Sequence, residues 1–182
     1  MYNISKGGDE MLKAYKYRLY PNKEQEIYFL KCFGCVRFIY NKMLNDKIEY
    51  YKENHKMLHN TPAQYKKEFE WLKDVDSLAL ANAQMNLDKA YKNFFRDESV
   101  GFPKFKSKKS NHYSYTTNNQ NNTIYITDNK YIKLPKLKTL VIGSYCFTEV
   151  RNVFIQGLYF LLFIIRFTIL KAFRIRTFCF PG

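Results

Sequence analysis

Acidic residues are scarce in this chain, and the scarcity is uneven along it. Asp and Glu number 16 against 30 Lys and Arg, so the formal charge of the 182 residues is +14. Residues 1–100 carry 17 basic and 14 acidic groups, residues 101–138 carry 8 and 1, and residues 139–182 carry 5 and 1. An excess of this size indicates an anionic partner, either nucleic acid or a membrane surface.

Regular cysteine spacing, a cleavable signal sequence and a long apolar helix are also missing. The four cysteines follow no framework, so we expect reduced thiols and a cytoplasmic protein. Cys32 and Cys35 have C-x-x-C spacing, but no second pair follows at metal-ligand spacing, which favours packing cysteines. The apolar run at residues 153–165 has the character of a hairpin or a membrane segment. Arg166 and Lys171 interrupt it before the ~20 apolar residues of a spanning helix are reached.

The stretch Gly101-Phe-Pro-Lys-Phe-Lys-Ser-Lys-Lys109 alternates aromatic rings with ammonium groups. Gly101 and Pro103 exclude a continuing helix, and Phe102 and Phe105 offer flat apolar faces. The four cations are Lys104, Lys106, Lys108 and Lys109. This composition is typical of polyphosphate binding, with the rings either anchoring the segment or stacking on bases. The alternative is a solvated basic loop with two buried Phe anchors.

The residues before this stretch predict one strand and three helices. Residues 12–20 alternate with a period of two, as in a half-buried strand. Asn22-Lys-Glu-Gln25 predicts a capping box, and an apolar stripe from Phe29 to Tyr51 follows it. Thr61-Pro-Ala-Gln64 predicts a second capping box, and Ser77 opens the third helix. We therefore expect a compact bundle of three antiparallel helices, in a chain whose 46% hydrophobic content excludes disorder.

After the basic stretch the apolar period changes to that of strands. Tyr113–Thr117, residues 123–127 and residues 130–134 predict strands, with Asp128-Asn129 as the turn of a hairpin. The strand before the bundle can complete this sheet, so the bundle is an insertion into a small β module. Residues 141–182 show no caps and no helical stripe. We interpret them as a frameshift product, with a poor membrane anchor or a genuine core segment as alternatives.

Four motifs stand in order over about residues 11–140. They are Lys16-Tyr-Arg-Leu-Tyr-Pro21 with Gln25, Arg37-Phe-Ile-Tyr-Asn41, the helix end Leu87…Ala90-Tyr…Phe94-Phe95, and Gly101–Lys109. Together they resemble the N-terminal part of the TnpB/OrfB proteins of insertion sequences. The resemblance implies RNA-guided DNA endonucleases, long called transposases and related to the type V CRISPR effectors.

The resemblance implies an α+β fold with three parts. A small β-barrel-like wedge module carries an inserted helical-bundle (helix-turn-helix-like) recognition domain, and an unassignable hydrophobic tail follows. The expected division is a translated leader at 1–10, the first wedge strand at 11–21, the recognition bundle at 22–99, the rest of the wedge module at 100–140 and the frameshift tail at 141–182. The leader rests on Lys6-Gly-Gly-Asp-Glu10, which matches a translated ribosome-binding sequence just before Met11.

Residue by residue, the matched motifs imply eight nucleic-acid contacts. These are Lys16, Arg18, Arg37, Asn41, Lys104, Lys106, Lys108 and Lys109, while Tyr20, Pro21, Tyr40, Phe102 and Phe105 match as scaffold. Without the resemblance, Arg37 and Asn41 are two residues one helical turn apart. They could meet a phosphate or a base edge together, or remain solvated. The implied partners are guide RNA and double-stranded DNA, gripped through their backbones. No membrane partner is expected, and no oligomeric state is implied.

No catalytic residue is expected in this chain. In the family, cleavage uses two metal ions on a RuvC-like domain with three acidic residues, together with a structural zinc module. Here Glu149 is the only carboxylate after residue 139, and Cys146 and Cys179 are solitary. We expect a nucleic-acid-binding N-terminal part without cofactors, where the full-length family would use Mg and Zn. The alternatives are a membrane-associated basic protein anchored by residues 153–170, and half of a split nuclease completed by a downstream frame.

Overall fold

Three helices lie between the first two described strands, so the fold is α+β. The computed structural model describes residues 13–110, 113–128, 131–137, 140–142, 146–147, 162–168 and 172–179. The helices are α1 (Lys23–Asn54), α2 (Pro62–Glu68) and α3 (Ser77–Arg96), with 3-10 turns at Glu70–Asp74 and Lys108–Ser110. The strands are β1 (Lys13–Tyr20), β2 (Tyr113–Asn118), β3 (Tyr125–Thr127), β4 (Tyr131–Lys133), β5 (Leu140–Ile142), β6 (Cys146–Phe147), β7 (Leu162–Thr168) and β8 (Ala172–Cys179).

Helix α1 begins and ends at strong local signals. Asn22 Oδ1 accepts a hydrogen bond from Gln25 N at 2.9 Å, and Gln25 Oε1 accepts one from Asn22 N at 2.8 Å. This reciprocal pair is the predicted capping box. His55 ends the helix in the left-handed conformation, with φ of 53°, and donates its N–H to Tyr51 O at 2.9 Å. The predicted start of the long helix is thereby confirmed.

Helix α3 begins at Ser77, as predicted, and its cap is the preceding residue, Asp76. Asp76 Oδ1 accepts a hydrogen bond from Leu78 N at 3.1 Å, and Oδ2 accepts one from the Thr117 hydroxyl of β2. Both Asp76 and Thr117 are buried. One carboxylate therefore caps the helix and ties it to the sheet.

The described hydrophobic core lies where α1 and α3 pack on β2. Phe29 and Phe33 of α1 contact Tyr115 of β2, with ring centroids 6.4 and 5.8 Å apart. The largest fully buried side chains are Leu19, Phe29, Ile39, Met43, Leu44, Leu72, Leu80, Leu87, Ile132 and Leu134. Burying each such side chain stabilises the fold by roughly 1.5–3 kcal/mol. These contacts, rather than helix propensity, hold the helices on the sheet.

The predicted apolar stripe of α1 is confirmed over most of its length. The stripe positions from Phe29 to Leu44 are buried, Ile48 is half-buried, and Tyr51 is 52% exposed. The stripe therefore fades in the C-terminal turns of α1, a helix of 32 residues.

The eight strands of the described residues form one antiparallel sheet in which β1 has a central place. The order is β2-β7-β8-β1-β5-β4-β3, and β6 also pairs with β1. Strands β3 and β4 form the predicted hairpin, with Ile126 opposite Ile132. Asp128 takes a positive φ of 50° after β3, a conformation that Asp tolerates in turns. Because β1 and β2 flank the helices in the chain, the helices are inserted between two strands of one sheet.

Parts of the C-terminal region join this sheet, although its sequence pattern left it unassigned. Strand β8 pairs with β1 along Lys13–Leu19, and β7 pairs with β2 along Tyr113–Asn118. The origin of residues 141–182 as a frameshift product stays a prediction, because aromatic and β-branched residues pair as strands whatever their reading frame. Of the suggested membrane anchor at 153–170, only the β7 residues are described.

Two further expectations concern the translated leader and a membrane-spanning segment. The proposed leader at residues 1–10 lies outside them. Within them, no helix has the length and apolar character needed to cross a membrane.

Candidate nucleic-acid interface

Residues 101–110, here called the basic-aromatic loop, leave α3 and are anchored at once by an aromatic cluster. Phe102 packs edge-on against Tyr91 and Phe94 of α3, with ring centroids 5.6 and 5.4 Å apart and interplanar angles of 88° and 83°. Edge-to-face geometry of this kind is favourable between aromatic rings. Pro103 beside it is buried. The contacts of Phe102 are those of an anchor for the loop.

Asn41 of α1 holds the middle of the loop with both ends of its amide. Its Nδ2 donates to Lys106 O at 2.9 Å, and its Oδ1 accepts from Lys106 N at 2.8 Å. The neighbouring Tyr40 holds the same residue by its side chain, since Lys106 Nζ lies 4.1 Å from the Tyr40 ring centroid. Tyr40 and Asn41 thus fix the backbone and the ammonium group of one residue that lies 65 positions beyond Asn41.

The Lys106 ammonium group is partly desolvated by the protein around it. Local burial lowers the pKa of Lys106 and raises the pKa of the Tyr40 hydroxyl. The face of the Tyr40 ring opposes the first effect, because it stabilises a cation. All four lysines of the loop, Lys106 included, are exposed. The ammonium group of Lys106 contacts the Tyr40 ring, whereas Lys104, Lys108 and Lys109 form no side-chain hydrogen bond, ion pair or ring contact among the described residues and remain available to an anion.

A cleft of about 390 Å³ lies between the loop, α1 and the start of β2. It is lined by Phe33, Val36, Arg37, Phe105, Lys106, Ser107, Ser110, Tyr113 and Ser114. Phe33 and Tyr113 pack together with ring centroids 6.0 Å apart, and the Tyr113 hydroxyl donates to Lys108 O at 3.4 Å. Phe105 is 54% exposed. The cleft thus combines aromatic walls with cations and hydroxyl groups, and none of its lining residues is acidic.

The structure gathers six of the eight predicted contact residues on one side of α1. Arg37 lines the cleft, Asn41 holds the loop, and the four lysines lie in the loop itself. Lys16 and Arg18 lie in β1, opposite Arg176 and Arg174 of β8 in the strand register. The side chains of β1 before Leu19 are outside the described part of the structure.

Three features of this site had no signal in the sequence pattern. Tyr113 belongs to a strand, and only the fold places it against Phe33. The hydroxyl groups of Ser107 and Ser110 point to no function by composition alone. A role for Asn41 in holding Lys106 could not be inferred, because a side chain to backbone pairing across 65 residues leaves no periodicity.

Cys32 and Cys35 of α1 are free and buried. Burial raises the pKa of Cys32 to about 12 and that of Cys35 to about 11. Both values lie well above neutral pH, so these thiols are protonated there. In the part of the chain that the structure describes, no three His, Cys, Asp or Glu side chains converge as a metal site. The assignment of Cys32 and Cys35 as packing residues stays a prediction, and their burial agrees with it.

Comparison with known proteins decides the family. A family model described as a helix-turn-helix domain (HTH_OrfB_IS605) matches residues 11–56. A "Putative RNA-guided DNA endonuclease" of Streptomyces pristinaespiralis is 34% identical over 112 residues, which cover 58% of this chain and 28% of that protein. The "Virulence protein VsdF" of Salmonella dublin is 36% identical over 115 residues, which cover 54% of this chain and 95% of that protein. The chain belongs to the TnpB/OrfB family.

A second relative has the same kind of name. The "Putative RNA-guided DNA endonuclease InsQ" of Escherichia coli K12 is 33% identical over 107 residues, which cover 55% of this chain and 26% of that protein. This TnpB/OrfB chain therefore spans little more than a quarter of the length of the two endonuclease-named relatives, and nearly all of the third.

The helix-turn-helix match covers a strand and one long helix in this TnpB/OrfB chain. Of the matched residues, 13–56 are described, and they form β1, α1 and the α1 cap at His55. Helix α1 runs through 32 residues without a break. The turn that joins it to a second helix lies in residues 55–61, mostly beyond the match.

Proposed function

We propose that this chain is a transposon-associated protein that binds nucleic acid through the basic-aromatic loop and the adjoining face of α1. The observation that carries the proposal is that Tyr40 contacts the ammonium group of Lys106 while Asn41 hydrogen-bonds to its backbone. It supports the loop in one shape, so that its exposed lysines are presented without further ordering of the backbone. Cations on a backbone that is already ordered suit contact with phosphates.

The charge of the surrounding segment supports the same proposal. Residues 101–138 carry 8 basic residues and 1 acidic residue, and the loop itself has no Asp or Glu. A phosphate backbone approaching Lys104, Lys108 and Lys109 therefore meets no repelling carboxylate within the loop. Family membership, with relatives named as RNA-guided DNA endonucleases, agrees with a nucleic-acid partner.

The more detailed proposal follows the family. The sheet serves as the wedge module and α1 to α3 as the recognition bundle, and together they grip a guide RNA and double-stranded target DNA. We propose binding without cleavage by this chain alone, since Glu149 is its only carboxylate after residue 139. Mg²⁺-dependent nicking of DNA by the purified protein, abolished by replacing one of its own acidic residues, would contradict that part.

The test measures binding of the purified chain to single-stranded RNA and to duplex DNA by fluorescence anisotropy over a series of salt concentrations. Replacing Lys104, Lys108 and Lys109 with Ala removes three exposed cations and leaves the Lys106 contacts in place. We expect weaker binding and a log–log salt slope that is shallower by roughly 2–3, at about 0.7–0.9 for each lost phosphate contact.

A matched control removes the same charge elsewhere. Lys52, Lys56 and Lys67 are exposed and lie outside the loop. Their replacement with Ala should leave the salt slope close to that of the parent chain. Equal losses in the two triple variants would mean that net charge alone attracts the nucleic acid, and the loop would lose its assigned role.

A further inference from the structure

The two phenylalanines of the basic-aromatic loop have different surroundings. Phe102 is 44% exposed and packs against two rings of α3, whereas Phe105 is 54% exposed and contacts no other aromatic ring among the described residues. Leaving a large ring in water gives up the free energy that its burial would supply. The Phe105 ring borders the cleft, next to residues that carry charge and hydroxyl groups. An exposed ring in a cationic setting is the usual platform for a nucleic-acid base.

Arg37 lines the same cleft from α1. It is half-buried, and within the described part of the chain it forms no ion pair and no hydrogen bond. A guanidinium group presents several donors in one plane, which suits a phosphate group. A strand that places a base against Phe105 would bring its adjoining phosphate toward such a group.

We propose that the cleft binds one unstacked nucleobase of a single-stranded segment, with Phe105 as the stacking platform and Arg37 on a flanking phosphate. This inference rests on the proposed function, and it names the chemical group that the site takes. The volume of about 390 Å³ lies near the lower end of small-ligand pockets, roughly 300–1,000 Å³, which suits a single ring system. The hydroxyl group of Ser114 is available to the edge of a base, whereas Ser107 Oγ accepts from Lys109 N at 3.1 Å and Ser110 Oγ donates to Ser107 O at 2.8 Å within the loop.

The experiment compares oligo-dT with an abasic oligomer of the same length and backbone. The full chain should bind the oligo-dT more tightly, by about five- to a hundredfold, because stacking on an aromatic ring is worth that much for each base. Phe105→Leu keeps an apolar side chain and removes the aromatic ring, so the ratio of the affinities for the two oligomers should fall close to one. The salt slope of this variant should not change, whereas Arg37→Gln should make the slope shallower by about one.

Phe95→Leu is the matched control, since Phe95 is 68% exposed and does not line the cleft. It should keep the preference for the oligomer with bases. Wild-type protein that binds the two oligomers equally would overturn the base site while leaving phosphate binding intact. Protein that binds neither oligomer would overturn the proposed function as well. A poly-glutamate peptide that competes as well as the oligo-dT would show the cleft to be a site for acidic peptides, and would also overturn the inference.

The abasic comparison uses the wild-type chain, so it stands even if Phe105→Leu folds poorly. A 2-aminopurine placed in the oligomer provides a second measurement. Its fluorescence should be quenched on binding to the wild-type chain and to Phe95→Leu, and less so on binding to Phe105→Leu. Equal quenching by all three proteins would place the base elsewhere.

Discussion

The helical core and the basic-aromatic loop each depend on one polar side chain that bonds to a distant part of the chain. Asp76 is buried and accepts hydrogen bonds from Leu78 N and from the Thr117 hydroxyl. Asn41 is half-buried, and it pairs with both backbone groups of Lys106 through solvent-exposed hydrogen bonds. A buried group left without its partner loses its solvation outright, whereas water can replace a lost partner at the surface. The first contact should therefore govern stability, and the second should govern the shape of a binding surface.

The largest expected effect tests the core side of this comparison. Leu80 of α3 is fully buried, and Leu80→Ala should lower the free energy of unfolding by about 2–5 kcal/mol. Urea denaturation followed by circular dichroism measures it. Met85→Ala on the same helix is the control, because Met85 is 59% exposed and its loss should change stability by less than about 0.5 kcal/mol. Similar losses in the two variants would mean that α3 does not pack on the core as described.

Thr117→Val tests the buried hydrogen bond itself at nearly constant shape. It leaves Asp76 Oδ2 without the hydroxyl of Thr117, and the stability should fall by about 1–3 kcal/mol. Thr127→Val, at an exposed position of β3, should stay within about 0.5 kcal/mol of the parent chain. Affinity for single-stranded RNA should be unchanged in both folded variants. A loss of affinity in Thr117→Val alone would mean that the buried contact of the core also affects the binding surface.

Alkaline pH should weaken the core through its thiols. Between an ordinary pKa near 9 and the folded values of about 12 for Cys32 and about 11 for Cys35, the folded chain keeps protons that the unfolded chain releases. Stability is therefore complete below about pH 9 and falls above it, by about 1.4 kcal/mol per pH unit for each thiol. Urea denaturation from about pH 8 to about pH 10, with a reductant, measures the slope. In Cys32→Ala the slope should be smaller, and an unchanged slope would assign the titration to other groups.

A different contrast, between contacts of neighbouring residues and contacts of distant residues, explains what could be predicted from the sequence. The capping box of Asn22 and Gln25 and the start of α3 at Ser77 were predictable, because the groups that meet there lie within a few residues of one another. Asp and Ser are about equally favoured as N-cap residues. Because Asp76 and Ser77 are adjacent, the sequence did not show that Asp76 is the cap. The α1 stripe was predictable because helical periodicity repeats over many turns.

Contacts between distant residues were outside the reach of such patterns. Strand β8 pairs with β1 from the other end of the chain, and no local feature of residues 172–179 names that partner. The cleft needs residues from α1, the loop and β2 at once. The matched motifs selected both Asn41 and Lys106, but as separate contacts with nucleic acid. Their pairing with each other depends on the packing of the loop on α1, which is a property of the fold.

Of these changes, Asn41→Ala should have the smallest effect on stability. It tests most directly whether the contact of Asn41 with the loop differs in kind from the buried contact of Asp76. The lost hydrogen bonds are exposed, so the free energy of unfolding should fall by less than about 1.5 kcal/mol. The loop then loses its hold on the Lys106 backbone, and affinity for single-stranded RNA should fall several-fold because the ordering must be supplied on binding. The salt slope should not change, since no charge is removed. Asn86→Ala, exposed on α3, should alter neither quantity. A loss of stability as large as that of Thr117→Val, or an unchanged affinity, would mean that Asn41 belongs with Asp76 as a structural residue.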